Sequence, residues 1–190
     1  IDSLHSYNTA NVIFLRIGER YEGEKAKLNN VTISNVYAEV PAGKPDAGYE
    51  YEGPVEDLPR NISPASITGL PGQYVTNVTL KNITIVYPGG GNPNYAKVGT
   101  DAKSLNAIPE MPKAYPEFSQ FKELPAWGFY IRHAKGITFD NVTLTAEKPD
   151  YRPAIVLDDV HGGDLENVTI NDPGKKKNEI VVFQSTDIKK

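Results

Sequence analysis

Three short segments end in charged residues at the same place in a strand-like pattern. They are Ile13-Phe14-Leu15-Arg16, Phe129-Tyr130-Ile131-Arg132 and Ile155-Val156-Leu157-Asp158. Superposed in register, Arg16, Arg132 and Asp158 fall at one strand end. Guanidinium groups on the floor of a cleft suit an anionic ligand, because the planar fork bonds a carboxylate at two points. The same charges equally suit an internal role, pairing with one another or capping a sheet. Trp127 and Tyr130 lie beside this strand end, and their flat faces suit stacking on sugar rings; packing in a core or under a loop competes with that reading.

Other chemistry is thin. Asp158-Asp159 is a paired carboxylate, but its neighbours are Leu157 and Val160, and no catalytic residue is assigned. His5, His133 and His161 are scattered, and no His/Asp/Glu spacing marks a metal site, so neither metal nor cofactor is expected. There is no Gly-x-Ser-x-Gly elbow. Pro88-Gly-Gly-Gly91 lacks the Lys-Ser/Thr that completes a phosphate loop.

The elements that position these residues come from an internal repeat. Val31-Thr-Ile-Ser-Asn35-Val-Tyr-Ala-Glu-Val40, Val78-Thr-Leu-Lys-Asn82-Ile-Thr-Ile-Val-Tyr87, Ile137-Thr-Phe-Asp-Asn141-Val-Thr-Leu-Thr145 and Gly163-Asp-Leu-Glu-Asn167-Val-Thr-Ile170 align on a central Asn. Each is a short alternating strand, the Asn, then a β-branched strand. Alternation turns one side chain inward and the next outward, so Val31, Ile33, Val36, Val78, Leu80, Ile83 and Ile85 share one interior. Asn tolerates the left-handed conformation that a sharp bend between strands needs. Stacked amides can bond up and down a column, which makes Asn35, Asn82, Asn141 and Asn167 a predicted ladder. The competing reading of Asn30, Asn61, Asn77, Asn82, Asn141 and Asn167 as glycosylation sequons places most of them inside strands, where acceptor sites do not sit.

Asn141 to Asn167 and Phe129 to Ile155 are both 26 residues apart. About three strands fit in that length, for example Ala154–Leu157, Asp164–Glu166 and Val168–Ile170. Such a period predicts a parallel β-solenoid whose repeats pair only with their neighbours. Asn35 to Asn82 is 47 residues and Asn82 to Asn141 is 59, so segments are inserted at 41–73 and 88–126. Both begin after the strand that follows the ladder Asn. They are therefore expected to leave one edge side by side, and loops this long in a domain are usually functional or disordered.

Composition sets the frame. The 190 residues are 39% hydrophobic and 23% charged, with net charge −4. That balance suits one soluble globular domain spanning 1–190 and argues against nucleic acid as a partner. Lys175-Lys176-Lys177, the densest basic cluster, reads as a solvated turn. No apolar run is long enough to span a membrane as a helix. With no cysteine, disulfides, thiolate metal sites and cysteine nucleophiles are excluded.

Several phrases together resemble the C-terminal half of bacterial glycoside hydrolase family 28 proteins, the polygalacturonase-like pectin hydrolases. They are Ser6-Tyr-Asn-Thr-Ala-Asn-Val-Ile-Phe-Leu-Arg16-Ile-Gly18, Ser66-Ile-Thr-Gly-Leu-Pro-Gly72, Asn77-Val-Thr-Leu-Lys-Asn-Ile-Thr-Ile85, Tyr115-Pro-Glu-Phe-Ser119 and Leu124-Pro-Ala-Trp-Gly-Phe-Tyr-Ile-Arg-His133. The resemblance covers nearly the whole chain. It implies an all-β, right-handed, single-stranded parallel β-helix of the pectin-lyase-like kind, here incomplete at its N-terminal end. It also implies inverting hydrolysis of galacturonic-acid-containing polysaccharide in a periplasmic or extracellular setting. One carboxylic acid protonates the leaving oxygen, and a carboxylate activates water on the other face.

The family carries its catalytic aspartates in Asn-Thr-Asp and Gly-Asp-Asp motifs followed by Gly-His-Gly, and none of these occurs here. Arg16-Ile17 matches two residues of the family's Arg-Ile-Lys substrate-carboxylate motif, with Gly18 in place of the Lys. The expectation is a substrate-contacting region built from Arg16, Arg132, Asp158, Trp127 and Tyr130, on a chain inactive by itself. The expected partner is a polysaccharide or oligogalacturonide. An open first repeat would also invite end-to-end self-association. A non-catalytic carbohydrate-binding or structural module is the alternative. A calcium-dependent lyase ranks third, since acids such as Glu50 and Glu52 have no repeated partner.

Overall fold

The computed structural model describes residues 1–21, 23, 25–43, 61–121, 123–174 and 179–190. Glu50 and Glu52 of the first insertion, and Lys175-Lys176-Lys177, lie outside the described residues. The strands in chain order are β1 (Asp2–Ser6), β2 (Phe14–Arg16), β3 (Asn29–Glu39), β4 (Ala65–Thr68), β5 (Val75–Gly89), β6 (Phe129–Lys148), β7 (Ile155–Asp164), β8 (Val168–Asn171), β9 (Ile180–Phe183) and β10 (Thr186–Lys189). The second insertion adds one short helix, α1 (Ala102–Asn106), capped by Asp101, and a 3₁₀ turn at Phe118–Phe121.

The chain is nearly all β. Every pairing between the named strands is parallel, and together they form one curled ten-stranded sheet. Two files of strands run through it. One is β1–β3–β5–β6–β8 and the other is β2–β4–β6–β7–β9, with the long β6 shared by both. The 26-residue period appears as Phe129 against Ile155 and Val142 against Val168. The longer spacings appear as Val31 against Val78 and Val78 against Ile137.

Left-handed residues explain how strands as long as β6 curl. Ser3, Asn35, Asn82 and Asn141 occupy one register position and have φ from 53 to 58°. Asn82 Nδ2 donates to Asn35 Oδ1, and Asn141 Nδ2 to Asn82 Oδ1, both at 2.9 Å. Asp2 continues the column by accepting from Asn35 Nδ2 at 2.7 Å. Asn167 departs from the predicted ladder. It lies in register with Asn141, but it is not among the left-handed residues and donates instead to Asp140 at 3.5 Å. Its bend is a different turn, in which Asp164 Oδ1 accepts from Glu166 N. The expected strand at Asp164–Glu166 is accordingly part turn, and the preceding strand runs through to Asp164.

A second column of left-handed bends escaped the sequence reading. Asn30, Asn77, Gly136, Gly162 and Asp187 stack in register, each with positive φ. Glycine serves at Gly136 because a Cβ there would sit 2.8 Å from Asn77 Oδ1. A third position bends at His133, Asp159 and Gln184.

The interior is apolar as the alternation predicts. Ile33, Val36, Val78, Leu80, Ile83 and Ile85 are buried in one cluster, with Val31 packed at its edge. Each such side chain contributes roughly 1.5–3 kcal/mol on full burial. The first insertion is not loop throughout. Its residues Ala65–Thr68 form β4, which fills the place between β2 and β6. The two insertions do meet: Asn61 Nδ2 donates to the Asn92 carbonyl at 3.1 Å, and Asn92 N donates to Asn61 Oδ1 at 2.6 Å. A buried pair, Arg152 and Asp150, ties both to the sheet, since Arg152 also donates to the carbonyl of Ile62 and Asp150 accepts from Gly91 N.

Candidate functional site

The strand-end charges lie in register as expected. Arg16 pairs with Thr68, Thr68 with Arg132, Arg132 with Asp158, and Asp158 with Phe183. Their neighbours Phe14, Tyr130, Val156 and Val181 point to the outer side of the sheet, where a second apolar cluster forms with Leu105, Ile108, Phe121 and Leu124 of the second insertion. That insertion covers the charged row instead of leaving a cleft above it.

This covering overturns the expectation of an open anion-binding floor. Arg132 is buried, with Nη2 2.9 Å from Glu110 Oε1, Nε 3.2 Å from Asp158 Oδ2, and Nη1 donating to the Ile108 carbonyl at 2.8 Å. Asp158 is buried against it, and burial pushes its carboxyl above the ordinary value despite the pull of Arg132 and His133. Arg16 donates to the carbonyls of Met111 and Tyr115 and lies over the Phe121 ring, so it clamps the insertion. Tyr130 is fully buried, with its hydroxyl donating to Asp158 at 3.4 Å. Trp127 sits in the inner core, edge-on to Tyr87 at 5.7 Å. Neither ring has a face free for a sugar. Both were carried into the row's neighbourhood by sequence position, but each is sealed by apolar partners.

One step along the chain, the bend at His133 and Asp159 turns the next side chains toward a more open surface. His133 Nδ1 is 2.6 Å from Asp159 Oδ2, and His133 Nε2 is 3.0 Å from Glu110 Oε1. Asp159 Oδ1 also faces His161 Nε2 at 2.8 Å and accepts from the Tyr74 hydroxyl at 3.4 Å. His161 Nδ1 continues to Thr186 Oγ1 at 3.0 Å. Tyr74 stands edge-on to both imidazoles, and Lys135 Nζ lies 3.9 Å from its ring centre.

No family model, curated protein or solved structure matches this chain.

The electrostatics of the network follow from its geometry. Carboxylates only accept hydrogen bonds, so an imidazole between two of them satisfies both only when each ring nitrogen carries a proton. Burial lowers the His133 pKa, but the bonds to Glu110 and Asp159 outweigh it and hold His133 above its ordinary value. Burial raises Asp159, yet the bonds from His133, His161 and Tyr74 keep it below its ordinary value. His133, bridged by Glu110 and Asp159, joins the second insertion to two neighbouring strands in one hydrogen-bonded network. Among the described residues, no group of three or more acids and histidines is arranged to hold a metal, and no helix is long and apolar enough to cross a membrane.

The sequence separated residues that the fold brings together. His133 and Asp159 are 26 residues apart, as are Lys135 and His161, and that spacing equals the repeat. Reading the histidines against the period would have found this column. Glu110 carried no such signal, because it lies in an insertion without periodicity.

Proposed function

We propose that the chain forms C-terminal coils of a right-handed parallel β-helix belonging to a polygalacturonase-like hydrolase of glycoside hydrolase family 28. The observation that most supports this reading is the repeated column of left-handed Asn residues in an all-parallel sheet, with two long insertions meeting at one edge. Parallel crossovers are right-handed in about 98% of cases, which favours that hand. The insertion phrases quoted above carry the resemblance to the pectin hydrolases.

In this reading the chain acts on pectic polysaccharide as the non-catalytic flank of the enzyme. Inverting hydrolysis needs an acid and a base about 6.5–9.5 Å apart across the glycosidic bond. Asp158 is engaged by Arg132 and Asp159 by two histidines, so these two carboxylates serve the chain's own structure. The acid and base then belong to other coils, and the second insertion closes over the Arg132–Asp158 row. A polymeric substrate favours work outside the cytoplasm, in the periplasm or beyond the cell.

The isolated chain is expected to bind oligogalacturonides without releasing reducing ends from polygalacturonate. Steady reducing-sugar release would overturn the division of labour, and absence of any oligogalacturonide binding would overturn the substrate class. The second reading is a stand-alone carbohydrate-binding coil stack, favoured by the closed charge network around Arg132 and His133. It predicts the same binding from a chain that stays monomeric.

A further inference from the structure

We infer that Glu110 occupies a carboxylate-binding site as an internal stand-in, and that a ligand carboxylate can take its place between Arg132 and His133. A guanidinium and an imidazole nitrogen from adjacent positions of β6 converge on a single oxygen. Arg132 Nη2 is 2.9 Å and His133 Nε2 is 3.0 Å from Glu110 Oε1. Both donors are built in. Arg132 is held by Asp158 and the Ile108 carbonyl, and His133 by Asp159, so neither needs Glu110 to keep its place.

Glu110 differs from the donors it joins. It comes from the second insertion, and its side chain is 28% exposed, against 10% for Arg132 and 8% for His133. The carboxylate therefore fills the solvent-facing side of a site whose donors are buried. Withdrawal of one partly exposed side chain would leave two oriented N–H donors facing outward. Arranged donors of this kind recognise carboxylate as a class. That the ligand is a uronate rests on the pectic reading above; that it is a carboxylate rests on the geometry alone.

The test is chemical rescue. Glu110→Ala empties the position, whereas Glu110→Gln fills it with a neutral group. Melting temperature is measured for both variants and the native chain in sodium acetate and in sodium chloride at equal ionic strength. Acetate should raise the melting temperature of Glu110→Ala saturably, by about 2–4 °C at roughly four times its dissociation constant. The native chain and Glu110→Gln should show only the smaller, unsaturable response that acetate gives any folded chain. An acetate response in Glu110→Ala no greater than in the native chain overturns the site. If Glu110→Ala does not fold, its refolding yield reads the same point: recovery in acetate but not chloride supports the site, and equal yields overturn it. Galacturonate is then added to the same variant. Rescue by acetate but not galacturonate keeps the carboxylate site and overturns its assignment to a uronate; rescue by both supports the two together.

Discussion

Arg132 and Asp158 face each other from paired positions on neighbouring parallel strands, with Nε 3.2 Å from Oδ2 and side chains only 10% and 3% exposed. This buried pair sits under the second insertion and joins it to the sheet through Glu110 and the Ile108 carbonyl. Removing Asp158 leaves Arg132 buried with Glu110 and the Ile108 carbonyl as its remaining partners. Asp158→Ala is therefore expected to cost about 1–3 kcal/mol. Urea denaturation of the variant against the native chain measures it, and a loss well under 1 kcal/mol would contradict the pairing.

The His133 network gives stability a definite pH dependence. The folded pKa of His133 lies above its unfolded value of about 6.5. Its contribution is fully present below that unfolded value and is lost as pH rises through the raised folded value. The groups facing it are Glu110, Arg132, Asp159 and the Tyr74 ring, with His161 across Asp159. Asp159 acts with the opposite sign: its contribution is present above the unfolded carboxylate value and is lost as pH falls through its lowered folded value. Denaturation midpoints across this range should fall on the alkaline side of pH 6.5, and His133→Gln should remove that alkaline decline. An unchanged profile in His133→Gln would assign the decline elsewhere.

The Asn column separates two contributions at one residue. Asn82 has φ 53°, donates to Asn35 and accepts from Asn141. Asn82→Gly keeps the backbone geometry and loses the side-chain bonds, each about 0.5–1.5 kcal/mol. Asn82→Ala loses both, and the left-handed backbone adds roughly 1–2 kcal/mol. The expected order of stability is native, then Gly, then Ala, read from thermal unfolding. Ala and Gly variants of equal stability would contradict the strain at this bend.

Edge strands predict association. β1 and β2 end the strand order among the described residues, and Ile1 and Leu4 beside this edge are 75% and 40% exposed. An unprotected parallel edge is a template for another chain. Light scattering behind size exclusion should show association that grows with concentration. A clean monomer at high concentration would instead support the stand-alone module.

Much of this architecture was legible in the sequence, because burial imposes period two on each strand and the left-handed bend favours Asn at one position of the repeated strand pattern. Ile33, Leu80 and Ile85 follow directly from alternation. The Gly136–Gly162 column was not legible in the same way, since glycine inside a strand pattern equally marks a break. The site was harder. Register placed Arg132 beside Asp158, but only the path of the insertion decides whether such a row is open or covered. Leu105 and Ile108, ordinary loop residues by sequence, seal it. Glu110 reached His133 through that same aperiodic segment, which no spacing rule reads.

Titration calorimetry of the isolated chain with a purified oligogalacturonide tests the central claim most directly, because one trace reports both binding and turnover. The account predicts a saturable isotherm that returns to baseline after every injection, the signature of binding by a chain that lacks the acid and base. Heat that continues after saturation would show catalysis by this chain, and a flat trace would remove the pectic ligand; either result contradicts the account.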